Sequence, residues 1–99
     1  MERNVNLASI AAKINDLVNA YGRRNDIIIK YQKLTKESIA EFSDWDRKRF
    51  SLIPGEECFF IYEVNPDSDK DFLLYVVIVT GDSLLTAAEE LMDLVAKKF

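Results

Sequence analysis

Two stretches, CFFIYEV at residues 58 to 64 and FLLYVVIV at residues 72 to 79, are apolar on both alternating faces. Successive strand residues point to opposite sides of a sheet, so an antiparallel sheet with one wet face alternates apolar with polar residues. Neither stretch does so. In the first, Phe59, Ile61 and Glu63 share one face and Cys58, Phe60, Tyr62 and Val64 the other; in the second, Phe72, Leu74, Val76 and Ile78 oppose Leu73, Tyr75, Val77 and Val79. The turn formers NPDSDK between them predict antiparallel pairing of strands at about 57–64 and 71–80. A fold containing this hairpin must cover both faces or leave one for another molecule.

The flanking sequence supplies the cover. Leu7, Ile10, Ile14, Leu17 and Tyr21 recur at spacings of three and four and predict a helix over 5–21. Asn4 or Asn6 can cap its start, Gly22 suits the left-handed position after its end, and Arg23 and Arg24 favour the negative end of its dipole. In NDIIIKYQKL, Ile27, Ile29 and Tyr31 alternate with Ile28, Lys30 and Gln32, the pattern of a strand, with lysines that suit a sheet edge. TKESIAEFSDWDRKRF predicts a short helix from 36 to about 43 behind Thr35, with Ile39, Phe42 and Trp45 on one face, followed by irregular or extended chain. Pro54 and Gly55 fit the centre of a type II turn. GDS opens the last helix with Asp82 or Ser83 as cap; Leu84, Leu85, Ala88, Leu91, Met92, Val95 and Phe99 lie on one side, with Ala87 and Leu94 at the margin.

The order α-β-(α)-β-β-α predicts a single α+β domain over 1–99. It is a two-layer sandwich in which the N- and C-terminal helices pack together on a small antiparallel sheet of three or four strands. Two helices cover only one sheet face. Residues 35 to 50, with Ile39, Phe42, Trp45 and Phe50, either close over the other face or leave an apolar patch of the kind that marks an interaction site. The last helix also has a wider apolar arc than one sheet contact requires. Self-association or a protein partner is therefore expected, most simply a two-fold homodimer through the face assigned to Tyr62 and Tyr75.

Charge points the same way. The net charge of −4 conceals an asymmetry: residues 1 to 50 hold ten Lys/Arg against seven Asp/Glu, and residues 51 to 99 hold three against ten. The acidic second half favours a basic protein partner over general nucleic-acid binding. MERNVNLASIAAK carries an acid at position 2 and lacks the continuous apolar core of a secretory leader. The longest apolar run is eight residues, whereas a membrane-spanning helix needs about 20. A cytoplasmic protein without membrane association is expected.

Signatures of chemistry are missing. The three glycines, at 22, 55 and 81, form no phosphate-binding loop. With one cysteine and no histidine the chain lacks the usual zinc ligands and a Cys–His nucleophile pair, so Cys58 reads as a buried hydrophobe. Asp67, Asp69 and Asp71 alternate like the start of a calcium loop, but Phe72 and Ile78 stand where that loop needs glycine and a bidentate acid. Glu56, Glu57 and Glu63 offer carboxylates but no obvious cleft in so small a domain. Neither metal nor cofactor is expected.

The resulting expectation is a small acidic, non-enzymatic protein-binding module that occludes or escorts its partner. Size, acidity and element order are shared by unrelated inhibitors (phage-encoded ones among them), immunity proteins and secretion chaperones, an analogy of architecture alone. The candidate contact residues are Trp45, Tyr62 and Tyr75 as aromatic anchors and Glu56, Glu57, Asp67, Asp69 and Asp71 as acids. The alternative is nucleic-acid binding through Arg23, Arg24, Arg47, Lys48 and Arg49, in which WDRKRF sets basic residues between aromatics. Glu41, Asp44 and Asp46 lie just upstream and offset that charge.

Overall fold

Alternating β-branched and aromatic residues build three strands, β1 (Ile27–Lys33), β2 (Glu57–Glu63) and β3 (Phe72–Ile78). They form one antiparallel sheet in chain order, with β2 at its centre. The computed structural model describes residues 3–21, 26–67, 71–80 and 83–98. Gly22, Arg23, Arg24, Asp69, Gly81, Asp82 and Phe99 lie outside them. The β1–β2 ladder runs on into the Pro54–Gly55 turn: Leu34 N–H donates to the Glu56 carbonyl at 2.8 Å and Gly55 N–H to the Leu34 carbonyl at 2.7 Å. Gly55 has φ +92°, as the third residue of a type II turn requires, and side chains rarely adopt it.

Helices α1 (Arg3–Tyr21) and α4 (Leu84–Lys98) pack together on one sheet face, giving the α+β two-layer sandwich. The Ser83 hydroxyl accepts the Thr86 N–H and caps α4. Helix α1 starts before the expected position, so Asn4 and Asn6 fall within it and neither is its cap. The buried stripes are also rotated from expectation. In α1, Leu7, Ala11, Ile14 and Val18 are buried, while Leu17 is 47% and Tyr21 85% exposed. In α4, Ala87 and Leu91 are fully buried and Leu94 is half-buried, whereas Leu85 and Met92 face outward. Where a helix has more apolar residues than its contact can use, its neighbour sets the rotation. Here Ala11 and Ala87 lie in one buried cluster with Phe59 and Ile61.

The opposite sheet face is covered by the middle segment. Two short helices, α2 (Lys36–Glu41) and α3 (Asp44–Arg49), replace the single helix expected to reach residue 43. Thr35 and Ser38 make a reciprocal capping box that starts α2, which ends at Phe42 in extended conformation. Ser43 then caps α3, with Asp44 and Asp46 in its first turn and Arg47, Lys48 and Arg49 in its last, matched to the helix dipole. That pattern was legible, and it overrides the expected extended chain. Ile39, Phe42, Phe50 and Leu52 pack on a second core of Leu34, Cys58, Phe60 and Leu73. The Phe42 and Phe60 ring centroids stand 5.4 Å apart.

A bulge in β3 corrects the face assignments. Ile61 pairs with Tyr75 but Tyr62 pairs with Leu73, which leaves Leu74 as the extra residue. Tyr75 therefore lies beside Ile61 under the long helices, with Lys98 Nζ 5.7 Å from its ring, and not beside Tyr62. The homodimer face that was to join these two tyrosines does not exist. Tyr62 sits on the face that α2 and α3 close over.

Candidate functional site

Between α2–α3 and the sheet lies an open cleft of about 860 Å³. Strand β1 contributes Lys30 and Gln32, β2 contributes Tyr62, and the mouth of the β2–β3 hairpin contributes Asn65, Asp71 and Phe72. The helical side contributes Glu41, Phe42, Asp44, Trp45, Asp46 and Arg47. Four acids thus face two bases, and Arg47 is already ion-paired with Asp44. The cleft is acidic with aromatic walls.

Trp45 was expected on a face shared with Ile39 and Phe42. Instead it is carried by α3 and is 63% exposed at the rim, near Phe72 at 46%. Both rings lie within cation–π range of one guanidinium: Arg49 is 5.8 Å from the Trp45 centroid, 5.1 Å from Phe72 and 4.6 Å from Phe50. Arg49 also pairs with Asp46 at 3.2 Å and donates to the Leu73 carbonyl at 2.9 Å. One side chain therefore fixes the rim of the cleft. Tyr62 lines its floor, with Lys30 Nζ 5.7 Å from the ring. Burial, and then the charges of Asp46 and Asp71, push the Tyr62 phenol above its ordinary value, so it remains a neutral hydroxyl at neutral pH.

Of the sequence candidates, the cleft gathers Trp45, Tyr62 and Asp71. Asp67 is exposed in the hairpin loop, its N–H donating to Asn65 Oδ1 at 3.0 Å. Glu56 and Glu57 stand at the start of β2 outside the cleft, and Glu57 Oε2 accepts the Tyr31 hydroxyl at 2.5 Å. Tyr75 belongs to the other face. Sequence reasoning missed Phe72 and Lys30, whose role depends on which strands adjoin. Of the basic residues WDRKRF offers, Arg47 and Arg49 are held by acids, and Lys48 alone is exposed without an ion pair among the described residues.

A second, apolar groove of about 380 Å³ runs between α1 and α4, lined by Ile14, Leu17, Val18, Tyr21, Met92, Val95 and Ala96. The surplus apolar arc of α4 opens here rather than on the sheet. No group of three His, Cys, Asp or Glu among the described residues is placed to hold a metal ion, and no described helix is long and apolar enough to cross a membrane. Compared with known proteins, the chain matches no family model, no curated protein and no solved structure.

Proposed function

We propose that this chain is a non-enzymatic protein-binding module that takes a basic segment of a partner protein into the α2–α3 cleft and acts by occluding or escorting it. The observation that carries this reading is Trp45, more than half exposed at the rim of a cleft whose acids outnumber its bases. A large exposed aromatic in a cleft where Glu41 and Asp71 make no ion pair among the described residues suits an arginine or lysine side chain, which gains ring contact and charge together. The overall charge of −4 would steer such a partner towards the chain. The non-enzymatic reading rests on the lack of histidine and on the burial of the lone thiol, Cys58, in the second core.

Trp45 is the only tryptophan, so its emission reports on the cleft directly. Titration with a short arginine-rich peptide should shift that emission, and the affinity should fall as salt is raised. Asp71→Asn should weaken binding several-fold; Asp67→Asn, outside the cleft, should not. Unchanged emission with basic peptides, or equal effects of the two variants, would overturn the reading. Salt-dependent binding of random oligonucleotides instead would favour the nucleic-acid alternative.

A further inference from the structure

The two edges of the sheet differ in how their outward backbone groups are occupied. In the β1–β2 ladder, Val64 N–H donates to the Asp26 carbonyl and Leu34 N–H to the Glu56 carbonyl, so the even-numbered residues of β1 bond to β2 and the odd-numbered ones face out. That outer edge is clipped by α1: Asn15 Nδ2 donates to the Ile27 carbonyl at 2.8 Å, and Ile29 N–H donates to Asn15 Oδ1 at 3.0 Å. Lys30 and Lys33 add charge along it. Both devices discourage strand addition.

Strand β3 has neither along its second half. Val79 N–H donates to the Glu57 carbonyl at 2.8 Å, so Tyr75, Val77 and Val79 turn their backbone groups to β2, while Val76 and Ile78 turn theirs away. The outward groups of Val76 and Ile78 make no hydrogen bond among the described residues. Residues 72 to 80, FLLYVVIVT, carry no charge in a chain that is 30% charged. Among the described residues, the guard on this edge sits at the bulge end, where Arg49 donates to the Leu73 carbonyl.

We infer that β3 pairs antiparallel with β3 of a second copy, centred on Val77, to make a continuous six-stranded sheet. This does not depend on the cleft reading. The occupant follows from the register that Arg49 leaves open. Centred on Val77, Val76 of each copy meets Ile78 of the other as a doubly hydrogen-bonded pair, and the two Val77 residues meet across the axis. The central contacts are then between β-branched apolar side chains, with Tyr75 of each copy meeting Val79 of the other, and such pairs are favourable cross-strand neighbours. No charge meets its own copy, although each chain carries −4. Ile78, now 37% exposed, becomes covered.

The test is sedimentation of the full chain with hydrogen exchange. The wild type should be a dimer at about 100 micromolar and dissociate on dilution. Ile78→Pro removes an outward N–H, and proline is tolerated on an edge strand and keeps the preceding residue extended. It should yield a monomer with unchanged far-UV circular dichroism. Independently of that variant, the Val76 and Ile78 amides of the wild type should exchange about tenfold more slowly at high than at low protein concentration. A monomeric wild type at high concentration, a folded Ile78→Pro variant that still dimerises, or exchange at both amides that ignores concentration would each overturn the inference.

Discussion

Arg49 Nη2 lies 2.9 Å from the carbonyl oxygen of Leu73, next to the one irregular position of the sheet. The bulge turns that carbonyl away from β2, and a guanidinium delivered by α3 takes it up. The same group pairs with Asp46 and stacks near Phe50 and Phe72. It thereby joins the middle segment to the strand that completes the cleft.

Replacing Arg49 by alanine leaves the Leu73 carbonyl and Asp46 without their partner. The expected loss in urea unfolding is about 2 kcal/mol, the scale of a charge-assisted hydrogen bond with ring contacts. Arg49→Lys should recover only part of it, because an ammonium cannot present the planar fork. Trp45 emission should move to longer wavelength in both variants as α3 loosens.

The rotated stripe of α4 gives a paired prediction. Leu91 is fully buried, so Leu91→Ala should cost about 2–5 kcal/mol. Met92, one residue on and 51% exposed, should tolerate alanine within about 0.5 kcal/mol. Equal losses in thermal or urea unfolding would mean that α4 is rotated differently.

Cys58 should resist thiol reagents until the chain unfolds. Burial, reinforced by the charges of Glu56 and Glu57, pushes its thiol up from 9.0 to about 11. A raised value means that the folded chain holds the proton where the unfolded chain releases it. This contribution is whole below pH 9 and is lost as pH rises towards 11, on the order of 2 kcal/mol in all. Tyr62 shifts in the same direction and adds to the alkaline loss. Comparing Cys58→Ala with wild type in urea at several alkaline pH values should show a shallower decline in the variant.

Asn15 replaces a neighbouring strand for β1 by serving both the Ile27 carbonyl and the Ile29 N–H. Asn15→Ala should cost about 1–3 kcal/mol, chiefly the penalty for the part-buried Ile29 N–H left without its acceptor, since Asn19 Nδ2 still donates to the Ile27 carbonyl at 3.2 Å. It should also speed amide exchange at Ile29 selectively. Asn15→Asp keeps an acceptor for Ile29 but loses the donor to Ile27, so it should protect that amide without restoring full stability.

Much of the architecture was written locally. The period of two in β1, the turn formers before β3, the Thr35 and Ser83 caps and the Pro54–Gly55 turn are properties of a few adjacent residues. They predict elements correctly because backbone geometry and capping act over one turn. Helix α3 was equally legible in Ser43 and its ordered charges, although the same residues also fit the start of extended chain. Part of the cleft could be read too: Trp45, Tyr62 and Asp71 were singled out from residue type alone.

Tertiary structure decided which side chains share a face. One extra residue, Leu74, moves Leu73 to the side of Tyr62 and leaves Tyr75 beneath the helices, because a single-residue shift exchanges the two faces of a strand. No local signal in FLLYVVIV distinguishes these placements. The apolar arcs of α1 and α4 were likewise wider than their contacts, so only packing against Phe59 and Ile61 could choose Ala11 and Ala87 over Leu17 and Met92. The doubled apolar hairpin required cover on both faces. That the chain supplies it with its own middle segment, leaving a strand edge rather than a face unpaired, follows from contacts between residues far apart in sequence, such as Phe42 with Phe60.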